Sequence, residues 1–208
     1  MVLESVAAAG KNKMEIILGS QSPRRKEILE FFSLPFNQIH SDFDEEQVLF
    51  LGDPATFVKQ VALEKAKALA ERHPEAVILT ADTVVYLNGR LFLKPATMHE
   101  AYLMLRELSG KEHQVFTGVC ISHQNKEFID VEKSRVEFCE LTDSEIHAYA
   151  ESFFPLDKAG GYAIQKGGCL IVKRIEGCYY NIMGLPLQKV RRLLLNIGID
   201  LWDYFKSA

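Results

Sequence analysis

Asp82, Glu45, Lys65, Lys94 and the pair Arg24-Arg25 are acids and cations of the types that phosphate chemistry uses, and all fall in the first hundred residues. The arginines close the stretch Leu18-Gly19-Ser20-Gln21-Ser22-Pro23-Arg24-Arg25. Here a short apolar run, Met14 to Leu18, predicts a buried strand, and Ser22-Pro23 predicts a helix start with Ser22 as N-cap. Helix N-termini carry unpaired N–H groups and the positive end of a dipole, which repels cations unless an anion is present. Two guanidiniums in that first turn, beside small residues such as Ser20, therefore read as a forked anion cradle.

Asp82-Thr83 follows the apolar run Ala76 to Ala81, which predicts a central strand ending at the acid. In α/β sheets ligands gather at the carboxyl ends of strands. Asn88-Gly89 marks a two-residue hairpin whose second arm returns Lys94-Pro95 to the side of Asp82. Lys65 sits four residues from Val61 and from Leu69, on the buried stripe of a helix predicted from the N-cap Asp53 to about Arg72. A lysine there needs an anion or must snorkel, so Lys65 reads as a phosphate ligand. Asp42-Phe43-Asp44-Glu45-Glu46 is either a solvated loop or a hold for a divalent cation.

The elements that must position these groups alternate between strand and helix, which predicts an α/β sheet. Phe36 to Ser41 is a second strand, and Thr97-Met-His-Glu100 is a capping box opening a helix that ends near Gly110. Two long strands follow, Glu112 to His123 and Glu127 to Leu141, as a second lobe or an extended sheet with dimer contacts. Thr142 to Glu145 caps another helix. The paired glycines of Asp157 to Gln165 allow close backbone approach to a ligand, and Gln165 is placed to read a nucleobase edge. Cys169 to Arg174 is a strand, and Asn181 to Pro186 leads into a final amphipathic helix ending near Asn196. The six histidines are scattered and read as structural or surface groups.

With 208 residues, 48% of them apolar and 25% charged, the chain has the composition of a folded enzyme. A net charge of −4 disfavours a nucleic-acid surface. No apolar run is long enough to span a membrane. Four cysteines without a CxxC pair suit reduced thiols and a cytoplasmic setting. Residues 1 to 13 read as a loose extension and 14 to 208 as one domain.

Gly19-Ser-Gln-Ser-Pro-Arg-Arg25, Glu64-Lys65-Ala66, Ala81-Asp-Thr83, Lys94-Pro95, Leu108-Ser-Gly110, Asp157-Lys-Ala-Gly160, Ile164-Gln165 and Met183-Gly-Leu-Pro186 together resemble the Maf family of nucleoside triphosphate pyrophosphatases. The likeness runs from about Met14 to Leu195. It implies a Maf/Ham1 α/β fold, a mixed sheet with flanking helices and two lobes around a central cleft. It also implies hydrolysis of a nucleoside triphosphate to the monophosphate and pyrophosphate with Mg²⁺ or Mn²⁺. Asp82 matches the family's general base and metal ligand, and Glu45 its acidic residue near the metal. Ser20, Arg24, Arg25, Lys65 and Lys94 match its phosphate-handling residues. Arg24, Thr83 and Gln165 resemble the dTTP/UTP branch, against a 7-methyl-GTP branch and a non-catalytic regulator of septum formation as the alternatives. A homodimer with no nucleic-acid or membrane partner is expected. One departure is visible: Ala163 stands where the family commonly has glycine, adding a methyl near the presumed base pocket.

Overall fold

The central strand is β3, Val77–Leu87, and its pairing decides where ligands can enter. The computed structural model describes residues 14–205, so the extension expected at 1 to 13 lies outside the described residues. On one edge β3 pairs antiparallel with β5, Glu112–His123, in unbroken register from Ile78 to Tyr86. On the other edge it has two partners in succession. The parallel strand β1, Ile16–Gly19, covers Val77 to Thr80, and the antiparallel β4, Arg90–Phe92, covers Val85 to Leu87. Among the described residues no strand pairs with Ala81 to Val84 on that side, and this four-residue notch holds Asp82 and Thr83.

The rest of the sheet extends outward from this strand. β2, Asn37–Gln38, runs parallel to β1, while β6, Lys126–Phe138, and β7, Val172–Glu176, continue antiparallel beyond β5, giving among the described residues seven strands in the order β2-β1-β3-β5-β6-β7 with β4 on β3. Gln124 and Asn125 turn β5 into β6 with positive φ at both positions, the conformation a two-residue hairpin loop demands. The long strands therefore extend one sheet.

Successive strand side chains point to opposite faces, and both faces here are covered. Ile78 and Val84 pack under α2, Pro54–Ala70, which alone spans one face. Val77, Leu79 and Ala81 join a core with α1, Pro23–Leu29, and α7, Leu187–Leu195. Val85 and Leu87 join a second core on that same face with α3, Met98–Leu108, and α4, Asp143–Phe153. The notch at Ala81 to Val84 falls between the parts of β3 that these two helical groups cover. Two one-turn helices, α5 Gly168–Ile171 and α6 Tyr179–Ile182, follow α4 in the chain, and Ile182 of α6 lines the cleft.

Several local expectations change for physical reasons. The strand bearing Asp82 does not end at Asp82-Thr83, because β5 keeps bonding it to Tyr86. The strand predicted over Cys169 to Arg174 begins only at Val172, since Gly168, Cys169 and Leu170 donate to carbonyls three residues back and turn the chain helically. Phe36 to Ser41 shrinks to two strand residues as Arg72, just beyond the end of α2, claims the His40 and Ser41 carbonyls. α1 stops at Leu29, short of Phe32, and α2 at Ala70. Thr97 accepts from Glu100 N, yet the Glu100 carboxylate turns to Ala96 N, so that capping box is only half formed. At Thr142 the box is complete.

α2 is drawn unusually close to the sheet. Gly118 stands directly opposite Asp82 in the β3–β5 ladder, and a Cβ there would lie 2.3 Å from the Val58 carbonyl oxygen and 2.7 Å from Lys59 N. Thr80 Oγ1 ties the same face to α2 by donating to Ala62 O at 2.6 Å. Gly118→Ala therefore must push α2 away, and it should cost about 1–3 kcal/mol, the usual penalty for overpacking. Urea unfolding measures this; an unchanged midpoint would mean that α2 has room to shift.

Candidate active site

A single ammonium organises the α2 side of the notch. Lys65 is 6% exposed and its Nζ lies 2.6 Å from Glu45 Oε1 and 2.9 Å from Asp82 Oδ1. Burial of an unpaired lysine would cost several kcal/mol, and the two carboxylates offset that. Asp82 is itself only 7% exposed, whereas Glu45 reaches in from a short 3-10 turn, Glu45–Gln47, with much of its side chain open to solvent. Burial opposes ionisation of Glu45, but Lys65, with Lys94 and Arg25 further off, outweighs it and holds the carboxyl below its usual range. Asp44 starts the turn by accepting from Glu46 N, so the acidic run is partly structural.

On the other face a guanidinium occupies the notch. Arg25 donates from Nη1 to Ala81 O at 2.8 Å and to Ser20 Oγ at 3.1 Å, from Nη2 to Thr83 Oγ1 at 3.0 Å, and from Nε to Gly184 O at 2.8 Å. Four of its five N–H donors are thus spent on the protein. Burial lowers its pKa, and the nearby Asp82 and Glu45 charges work in the opposite direction. Gly184 has a φ of 100° and lies so near that a Cβ would be 3.1 Å from Thr83 Oγ1, so a glycine suits this approach.

Ser20 is buried and accepts from both Arg25 Nη1 and Ser22 N, which leaves its hydroxyl proton to donate into the cleft. Ser22 holds the N-cap position without a side-chain bond to the helix. Arg24 reaches across the cleft mouth to Asp157, with Nη1 at 2.7 Å from Oδ2 and Nη2 at 3.1 Å from the carbonyl. Lys94 is exposed on the cleft wall, and among the described residues no hydrogen bond or ion pair engages it.

These groups share one cleft of about 650 Å³, lined by Ser20, Arg24, Arg25, Glu45, Lys65, Asp82, Thr83 and Lys94 among others. That size suits a small-molecule site. Apolar walls, including Phe50, Phe57, Leu91 and Ile182, adjoin the charged floor. Gln165 is the one predicted residue not brought to the lining: its amide donates to Glu27 Oε2 on α1 at 3.4 Å. Ala163 is on the wall, its backbone held at both N–H and carbonyl by the Tyr149 hydroxyl. Sequence reasoning missed Asp157 as the partner of Arg24, and Gly118 as the residue that seats α2. The first had a signal in its polar-glycine motif; the second had none.

The donor set fits a divalent cation. Both carboxylates already converge on one cationic atom, and each keeps a second oxygen; Mg²⁺ commonly uses one or two protein carboxylates and takes the rest of its shell from phosphate and water. Among the described residues no group of three or more His, Cys, Asp or Glu could hold a metal. All four cysteines are unpaired thiols, and no described helix is long and apolar enough to cross a membrane.

The family described as Maf-like protein matches residues 15–197. A dTTP/UTP pyrophosphatase of Chlamydia caviae is 46% identical over 191 residues, covering 91% of this chain and 97% of that protein. The dTTP/UTP pyrophosphatase of Chlamydia trachomatis serovar L2 is 42% identical over 190 residues with the same coverage of each. A nucleoside triphosphate pyrophosphatase of Chlamydia muridarum is 40% identical over 191 residues, again covering 91% and 97%. Among solved structures, the Staphylococcus aureus Ham1 protein overlaps 61% of this chain and 72% of its own, at 16% identity and a TM-score of 0.44, too partial a match to bear on the chemistry.

The Glu45–Lys65 pair generates a pH dependence. Because the Glu45 pKa is depressed below 4.5 in the folded protein, its contribution to stability is complete above about 4.5 and is lost as pH falls through the lower folded value. Glu45→Gln should flatten the acid limb of stability. Urea midpoints followed from about pH 6 to pH 3 measure it; equal acid slopes in both proteins would show that Lys65 does not hold this carboxylate.

Proposed function

This chain belongs to the Maf family, and from that premise we propose how it acts as a nucleoside triphosphate pyrophosphatase of the dTTP/UTP type. The observation that carries the reading is Asp82 in the β3 notch, bound to Lys65 at 2.9 Å on a cleft wall that also bears Ser20, Arg24 and Lys94. Attack of water on the α-phosphorus needs a carboxylate to take a proton, and the charge on the triphosphate oxygens needs cations and donors.

Asp82 has Oδ1 fixed by Lys65, which leaves Oδ2 to accept the proton of the attacking water. The water oxygen forms the new bond to the α-phosphorus, the α–β anhydride bond breaks, and pyrophosphate leaves with its electron pair. Ser20 donates to a phosphate oxygen, its lone pairs being spent on Arg25 and Ser22. Lys94 and Arg24 meet the β- and γ-phosphates, Arg24 exchanging Asp157 for the ligand. Arg25 acts mainly by holding Ala81, Thr83, Ser20 and Gly184 in place. Glu45 and Asp82 would hold Mg²⁺ or Mn²⁺, which supplies offsetting charge to the triphosphate when bound. Gln165 would reach a base edge by releasing Glu27.

We read residues 14 to 208 as one catalytic domain acting on a free nucleotide, in the cytoplasm and as a homodimer. Nucleic acid and membrane are not its partners in this reading.

Asp82→Asn should lower turnover of dTTP and UTP by at least about 10²-fold, the scale of general-base losses. A panel of dTTP, UTP, CTP, GTP and 7-methyl-GTP, with pyrophosphate resolved from single phosphate, tests the whole assignment. Release of single phosphate, or near wild-type rates in the variant, would sink it.

A further inference from the structure

Thr83 lines the cleft, and directly across the ladder from it stands Thr117, fully buried and not on the cleft wall. The two hydroxyl oxygens are 3.0 Å apart. Thr117 Oγ1 is also 2.9 Å from the backbone carbonyl of Asn181. A carbonyl can only accept, so the Thr117 proton goes to Asn181 and Thr117 must accept from Thr83. Asn181 cannot swing away, because its Nδ2 donates to Val115 O at 3.0 Å and to Ser134 Oγ at 2.9 Å, and the whole residue is buried.

The consequence falls on Thr83. Its one proton is committed to Thr117, and one of its two lone pairs accepts from Arg25 Nη2 at 3.0 Å. One lone pair remains. Toward the cleft Thr83 is an acceptor with nothing to donate, the opposite of Ser20. Phosphate oxygens are acceptors too, so Thr83 is unsuited to bind them, and strand alternation places it on the opposite face of β3 from the Asp82 carboxylate.

We propose that Thr117 is a specificity-positioning residue: by way of Asn181 it fixes Thr83 as a pure acceptor, which selects a nucleobase presenting an imide N–H. Uracil and thymine carry a donor at N3, whereas cytosine carries an acceptor there and meets the Thr83 lone pair unfavourably. This inference rests on the pyrophosphatase reading above and adds the group by which that site separates pyrimidines. A site built to pair with a donor rejects the analogue lacking it, since its own polar atom is left unpaired.

The test is kcat/KM for UTP and CTP in wild type, Thr117→Val and Thr117→Ser, with urea midpoints alongside. Thr117→Val lets the Thr83 proton rotate toward the cleft, so the UTP-to-CTP ratio should narrow at least about tenfold, mainly through better use of CTP. Thr117→Ser retains the relay and should restore the wild-type ratio, a rescue that general loosening of the core would not produce. Loss of UTP hydrolysis in wild type would overturn the activity itself; hydrolysis with an unchanged ratio in Thr117→Val would overturn only the role of Thr117. Should the valine variant not fold, wild type alone decides. The N3-methyl analogue of UTP, without the imide proton, should be hydrolysed at least about tenfold less efficiently than UTP, and equal efficiency would overturn the proposal.

Discussion

An ammonium group set inside an α/β protein has to be met by anions, and the placement of Lys65 imposes that demand on everything around it. α2 must lie close enough to the sheet for the lysine to reach β3, which Gly118 permits. Asp82 must project from the middle of that strand toward α2, and the turn at Glu45 must fold back over the same nitrogen. Such an ion cluster adds little net stability, because desolvation consumes most of the attraction. Removing one partner is far more damaging than never having had the cluster. The arrangement therefore fixes geometry more than it adds free energy.

Two faces of one strand divide the chemistry. On the α2 face stand charges: Asp82, Lys65 and Glu45. On the other, Arg25 spends its donors on carbonyls and hydroxyls and so sets the hydrogen-bond polarity of its neighbours. Ser20 is left able to give a proton and Thr83 able only to receive one. Hydroxyl groups that look alike in a sequence thus face the cleft with opposite sense, and the difference comes entirely from what stands behind them.

Much of this was legible in the residues alone, and what was hidden is long-range. Lys65 on an apolar helical stripe announced a need for an anion, and Asn88-Gly89 announced the turn that brings Lys94 to the cleft. The capped helix starts at Asp53 and Thr142 followed from local rules. The course of β3 through Asp82 did not, because its continuation depends on a partner strand some thirty-five residues on, with Thr83 opposite Thr117. Nor could spacing reveal that Arg25 is consumed internally, that Gln165 turns toward Glu27, or that Gly118 faces the acid. These depend on which segments the sheet brings together. The resemblance identified the cluster of charges, while the register of the sheet explains why they meet.

The gap between β1 and β4 has one more consequence. Backbone without a neighbouring strand is a template on which another chain can pair, which is why exposed sheet edges promote aggregation. Here such an edge lies open to a cleft at the centre of the sheet, a place where an extended segment of another chain would find unpaired backbone. Arg25 already caps the Ala81 carbonyl, and the charges of Arg25 and Asp82 border the remainder, so an incoming strand would have to displace one and desolvate both. The charged groups that border the cleft thus also keep it from acting as an adhesive surface for polypeptide.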